Sequence, residues 1–320
     1  MSEIRSGEFI SAQSTPMQGK GAGASVYLYG MVVQSTIHRL VGEFPELDTY
    51  GEFDKSHYLP GGEAGNSAVV LRNFGHKVRL DGPFLGRRTK EPVLGFYTPL
   101  GIDCTGMEYR EDFEGVEDLV IVSGSKRTVF GSYQHLYAGP PFWTPPSEDA
   151  IARADIVGLD PFFCKESEEV ARLCVKHSVP YVTIDCAPES FMAQNAAALV
   201  ISNEYLKREY PGRDATELFL YYAQMARGLV IFTCGTRRIL FGRNNDSPIC
   251  AEPFRVQVVS TLGAGDCFRA GVMQGLLQGL DDGGIVRYAA ATAAVACTGF
   301  PIGLFPPSQS SIDRLIYGHL

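Results

Sequence analysis

Apolar residues along this chain fall into short runs separated by amphipathic stretches. The run "SVYLYGMVV" (25–33) is β-branched and aromatic, which predicts a buried strand. "AGNSAVVLRNFG" (64–75) has helical spacing and predicts a helix stopped by Gly75 in the C′ position. "HKVRLDGPF" then reads as a strand. "ADIVGLD" (154–160) and "PYVTIDCA" (180–187) are apolar runs ending in an acid, with the helical "SEEVARLCVKHS" between them. "AALVISNEY" (197–205) and "GLVIFTCG" (228–235) repeat the strand pattern around the helical "TELFLYYAQMAR". "FRVQVVS" predicts a strand ending near Ser260, followed by a helix from about Gly265 to Gly279, and "GIVRYAAATAAVACTG" predicts a helix of small residues.

Alternation of fully apolar strands with helices predicts an α/β fold, a mostly parallel central sheet flanked by helices on both faces. Ligands of such sheets bind at the carboxyl ends of the strands. Asp160, Asp185, Asn203, Gly235 and the Ser260–Asp266 segment all fall at such ends. Residues 34–60 and 107–137 break the rhythm and carry more charge; "DLVIVSGSKRTVFGSY" reads as a hairpin turning near "SGSK". Both segments are assigned to a small β-sheet lid outside the main sheet, with ordinary edge strands as the alternative.

Composition narrows the partners. The chain has 320 residues, 45% hydrophobic and 20% charged, ordinary for a soluble globular protein. A formal net charge of -8 argues against nucleic-acid and membrane-surface partners, which require basic patches. No apolar run approaches the roughly 18–20 residues of a membrane span. The eight cysteines form no C-x-x-C pair and no zinc spacing, so they read as buried, reduced thiols of a cytoplasmic protein. Residues 1–24 are polar, lack the apolar core of a signal peptide and are expected to form a flexible tail. The "GKGAG" within them has no strand before it, as a dinucleotide loop needs.

The most specific chemistry lies in "VVSTLGAGDCFRAGVMQGLLQGL", Val258 to Leu280. A Gly263-Ala264-Gly265 turn opens a helix with Asp266 in its first turn. Glycines let the backbone turn its N–H groups toward an anion, and a helix N-terminus adds unpaired donors. Asp266 beside such a site either takes a proton from an attacking hydroxyl or caps the helix. Gly271, Gly275 and Gly279 form a smooth helix face expected to pack on the sheet. There is no G-x-x-x-x-G-K-[ST] phosphate loop.

"STLGAGDCFRAG" resembles the C-terminal signature of the ribokinase-like (PfkB) carbohydrate kinases, and "GGEAGNSAVVLRNFG" (61–75) resembles their N-terminal one. "GID" (101–103), "SNEY" and "FTCGTRRILF" resemble landmarks between them, so the likeness covers about residues 25–320 as one kinase domain. The resemblance implies transfer of the γ-phosphate of ATP to a sugar-type hydroxyl, with Asp266 as base and the backbone of Gly263, Ala264 and Gly265 as anion hole. It implies Gly61, Gly62 and Asn66 in the sugar pocket, with Arg127 of the lid reaching a polar or anionic part of the substrate. Asn203 would lie near Mg-phosphate, Thr233 and Gly235 near the nucleotide, and the helix 285–299 beside the adenine. Mg²⁺ is expected, as is a lid whose closure excludes water and whose exposed face allows a homodimer.

Three positions depart from the family pattern. Ser260 replaces an Asp that often helps hold a monovalent cation, which puts K⁺ activation in doubt. Leu206 replaces the Glu that organises Mg²⁺, leaving Asp160, Asp185 or water for the metal. Ser35 stands where relatives often carry a sugar-binding Asp, so Ser35 offers a neutral contact to the substrate. Two alternatives follow: a nucleoside kinase, with Tyr27, Tyr29, Tyr133 or Tyr137 stacking on the base, and an inactive nucleotide-binding or regulatory member.

Overall fold

The computed structural model describes residues 22–318 apart from 132, 138, 139, 236 and 245; most of the N-terminal tail expectation lies outside these residues. In chain order the strands are β1 (Ser25–Tyr29), β2 (Val33–Leu40), β3 (Phe53–Gly61), β4 (Lys77–Asp81), β5 (Glu117–Ser123), β6 (Lys126–Gly131), β7 (Ile156–Leu159), β8 (Tyr181–Ile184), β9 (Ala198–Ser202), β10 (Leu229–Thr233), β11 (Ile239–Gly242) and β12 (Ile249–Ala251). The helices are α1 (Glu63–Asn73), α2 (Lys90–Tyr97), α3 (Gln134–Tyr137), α4 (Glu148–Ala152), α5 (Cys164–Lys176), α6 (Phe191–Asn195), α7 (Asn203–Glu209), α8 (Ala215–Met225), α9 (Ala264–Leu277), α10 (Asp282–Ala296) and α11 (Gln309–Tyr317).

The main sheet has the order β12-β11-β10-β9-β8-β7-β1-β4, parallel from β10 to β4 and antiparallel at β11 and β12. Its strands read as continuous apolar runs because both faces are covered. Val26 and Leu28 join the core beneath α1, α9 and α10, while Tyr27 and Tyr29 join the one beneath α5 and α8. The same period-2 split runs through Val200 and Ile201 of β9 and Ile231 and Phe232 of β10. The second sheet, β3-β2-β5-β6, is built from the two segments that break the alternation. Leu59, Ser35, Asp118 and Gly131 form one row across it, and His57, Ile37, Val120 and Val129 the next.

Several expectations need correction. The apolar run 25–33 is two strands in two sheets, parted at Gly30–Val32. Residues 252–260 form no strand. Phe254, Val256 and Val258 alternate because they line a cavity, without ladder partners. Ala24, placed in the tail, is buried, and the Gly23 N–H donates to the Gly75 carbonyl. The glycine face of α9 meets a helix rather than the sheet: a Cβ at Gly271 would lie 2.6 Å from Ala289 Cα, and one at Gly275 3.0 Å from Ile285 Cα, both on α10. Gly279 ends the helix in the left-handed region. Cys164 is exposed, whereas Cys104, Cys174, Cys186, Cys234 and Cys267 are buried.

Candidate active site

A cavity of about 870 Å³ opens between the lid and the carboxyl ends of β8, β9 and β10. Two glycine turns shape its floor. Gly62 precedes α1 at φ 88°, and a Cβ there would sit 2.4 Å from the Met31 carbonyl oxygen, which accepts the N–H groups of Ala64 and Gly65. Gly263 precedes α9 at φ 74°, where a Cβ would lie 2.4 Å from Ile302 Cδ1. Only glycine enters both turns without strain. They bring the first turns of α1 and α9 together: the Asn66 side-chain amide donates to Asp266 Oδ2 at 2.7 Å, and Ser67 Oγ donates to the Asp266 carbonyl at 3.1 Å. No atom lies within 4 Å of the Cβ position of Gly265, so the backbone at the head of α9 faces open space.

Asp266 is half-buried. Burial pushes its carboxyl up to about 7; the Asn66 amide and Arg269 pull the other way and Asp160 adds to the rise. Glu63, at the head of α1, is pushed to about 8 by burial first, then by the charges of Asp266 and Asp160. The two carboxyls line the same cavity, and the Asp266 charge adds to the rise at Glu63.

Below this floor lies a closed polar cluster. Arg269, one turn along α9, is buried and ion-paired with Asp160. It also donates to Ser67 Oγ and, at 2.6 Å, to the Glu63 carbonyl. Asp160 Oδ2 accepts the Met31 N–H at 2.7 Å. The expectation that Asp160 holds a metal therefore fails: it does not line the cavity, and it is buried against the Arg269 guanidinium.

The remaining expected residues divide between two sides of the cavity. Ser35, Gly61, Gly62, Asn66 and Arg127 line the lid side, with Tyr133 and Tyr137. Tyr27 and Tyr29 are buried under the sheet, where their hydroxyls donate to Asp81 and to the Thr144 carbonyl, which removes them as stacking candidates. Asp185, Asn203, Thr233 and Gly235 line the other side with Ala290, Ala293 and Ala294 of α10. Asp185 accepts from the Ser202 N–H and hydroxyl at 2.7 and 2.8 Å. Arg127 reaches across from the lid to Glu204 on α7 at 3.2 Å. Leu206 is buried in the core, and Ser260 is buried with its Oγ on the Leu262 N–H at 3.2 Å.

Glu63, Asp118, Glu204 and Arg269 belong to the site or its support and were not singled out from sequence. Glu63 stands between two expected pocket residues in "GGEAGN". Asp118 shares the period-2 face of Val120 and Val122, and Arg269 follows Asp266 by one helical turn. Each signal was present as spacing.

Among the described residues no trio of His, Cys, Asp or Glu is arranged to hold a metal ion. Mg²⁺ needs less, because it takes one or two carboxylates and completes its shell with phosphate oxygens and water. Asp185, Glu204 and Asn203 on one wall fit that requirement. No helix among the described residues is long and apolar enough to cross a membrane.

The profile of the pfkB family carbohydrate kinases matches residues 28–301. A ribokinase of Bacillus subtilis is 23% identical over 272 residues, covering 81% of this chain and 88% of that one. A 1-phosphofructokinase of Vibrio cholerae is 33% identical over 271 residues, 76% and 80% of the two chains. The Arabidopsis thaliana ribokinase solved with ribose and ATP superposes with a TM-score of 0.75 at 16% identity, over 92% of this chain and 99% of that one. With the glycine turn at Gly263, the acid that follows it and the lid over both, the chain belongs to the pfkB family of carbohydrate kinases, phosphotransferases whose acceptor is an alcohol.

Proposed function

We propose that this chain transfers the γ-phosphate of ATP to a hydroxyl of a sugar or sugar derivative, with Asp266 as general base. The observation that carries the reading is Asp266 itself. It sits in the first turn of α9, on the cavity floor, directed by the Asn66 amide and pushed to about 7. A base is most effective when its pKa lies near the working pH. The acceptor hydroxyl gives its proton to Asp266 as its oxygen bonds to the γ-phosphorus; the bond to the bridging oxygen breaks and ADP leaves. The N–H groups of Gly263 and Gly265 receive the charge on the moving phosphoryl group, with the Ala264 N–H, which donates to the Thr261 carbonyl at 3.3 Å, turning to join them. Arg127, on the lid, adds a positive charge near Asp266.

ATP lies with its phosphates toward α9 and its adenine against Ala290, Ala293 and Ala294, near Thr233 and Gly235. Mg²⁺, held by Asp185, Glu204 or Asn203 with the phosphates, neutralises charge during transfer. Ser260, a neutral hydroxyl, makes K⁺ dependence weak. Gly61, Gly62, Ser35 and Asn66 hold the acceptor. Tyr133 and Tyr137 on the lid side support a nucleoside as the second class of acceptor. Tyr58, Leu119 and Phe130, exposed in one row on the outer lid face, support a homodimer through the lid.

The test is ADP release from Mg-ATP across sugars, sugar acids, sugar phosphates and nucleosides. Asp266→Asn is expected to lower kcat by ~10²–10⁴ and leave ATP affinity nearly intact. An unchanged kcat removes Asp266 from the chemistry. Nucleotide binding without turnover of any acceptor would favour a regulatory role.

A further inference from the structure

The inward rows of the lid sheet are mostly apolar: Leu59, Ile37, Val120 and Val129 all face the cavity. Ser35 and Asp118 are the polar members of these rows on the cavity, and Asp118 is the acid. It lies opposite Ser35 of β2 and Gly131 of β6. The Tyr133 hydroxyl donates to its Oδ2 at 3.2 Å. A Cβ at Gly131 would lie 1.9 Å from Tyr133 Cε2, so the tyrosine ring has its seat because that residue is glycine. Asp118 Oδ1 is buried and has no hydrogen-bond partner. Burial raises the Asp118 carboxyl, and the neighbouring Ser35 and Tyr133 hydroxyls only partly offset this. A carboxylate oxygen buried without a donor is costly, and this one lines the cavity that Asp266 lines.

The missing partner is a donor, and its charge is constrained by the surroundings. Glu63 and Asp266 share the cavity with Asp118. Arg269 is buried with Asp160, and Arg127 pairs with Glu204 at 3.2 Å across the cavity. The Asp118 carboxylate meets a phosphate or carboxylate with like charge and finds no donor on it, while a hydroxyl satisfies it without penalty.

We propose that Asp118 is a specificity-determining residue, which accepts a hydrogen bond from an acceptor hydroxyl other than the one phosphorylated. Its charge turns away anionic acceptors, so the substrate is a neutral polyhydroxylated compound. This rests on the kinase reading above.

The experiment compares the full-length protein with Asp118→Asn and Asp118→Ala. Ribose, fructose and inosine serve as neutral acceptors; ribose 5-phosphate, fructose 1-phosphate and gluconate serve as anionic ones. The wild type is expected to use a neutral acceptor. Losing a hydrogen bond to a charged group should raise its KM by ~10–100-fold in Asp118→Asn, with the loss in KM rather than kcat and the KM for ATP unmoved. The variant should also gain on the anionic acceptors relative to the wild type. An unchanged KM, or a wild type that prefers an anionic acceptor, overturns the assignment. If none of the six is turned over, the kinase reading is what fails, and Asp118 is judged by melting temperature. Stabilisation by a neutral compound that disappears in Asp118→Asn supports the assignment, whereas the same shift in both proteins, or none, overturns it.

Discussion

Asp160 and Asp266 both lie close to Arg269, and they meet it in different ways. Asp160 is buried against the guanidinium, its second oxygen on the Met31 N–H. Asp266 is one helical turn away, lines the cavity, and takes a neutral amide from Asn66 instead. A charge paired below the floor ties α9, α1 and the end of β7 into one platform. A carboxyl held by a neutral donor stays easy to protonate. The two acids therefore divide the work: one fixes position, the other is left free to exchange a proton.

Breaking the lower pair should have the largest effect on stability. Asp160→Asn leaves Arg269 buried without its counter-charge, and removing one partner of such a pair typically costs about 3–5 kcal/mol. Denaturant titration is the measurement, and Asp160→Asn combined with Arg269→Met should recover much of the loss. A single variant as stable as the wild type would mean that the pair does not hold the platform.

Substitution on the floor should act in the opposite direction. The Asp266 pKa is raised from 3.8 to about 7, so the folded chain keeps a proton that the unfolded chain gives up. Its penalty grows as pH rises from about 4 to about 7 and stays constant above that. Asp266→Asn removes the penalty. Its melting temperature at pH 8 should exceed that of the wild type by roughly 2–4 °C for each kcal/mol relieved, and the gain should vanish near pH 4. A gain that persists at pH 4 would point to some other cause. The smallest change is Asn66→Ala: without the amide the base should titrate higher, moving the rise of kcat to higher pH. The acceptor KM should increase more than the ATP KM, and equal increases would place Asn66 outside the acceptor pocket.

Much of this arrangement was legible in the chain. The strands β7 to β10 were readable because burial on both faces makes every position apolar. The turn at Gly263 was readable because positive φ and close approach both demand glycine. The segment 252–260 misled because apolar alternation reports burial of one face, and lining a cavity produces the same pattern as joining a sheet. Asp160 misled for a related reason. An acid at the end of a parallel strand points toward the ligand end of the sheet, but its neighbour Arg269 comes from a helix 109 residues later and claims it. Glu63 and Asp118 gain their meaning only from groups brought near by the fold, such as Asp266 and Tyr133.

The lid also touches the loop at the head of α9. Leu262 packs under Ile37, Val120 and Val122, and the Thr261 hydroxyl donates to the Ser125 carbonyl at the hairpin tip at 3.0 Å. One hairpin thus borders the places where acceptor and phosphate meet. Occupancy of either place that settles the hairpin changes the free energy of filling the other. Thermodynamic reciprocity then requires the effect to be mutual: whatever factor the acceptor adds to nucleotide affinity, the nucleotide adds to acceptor affinity.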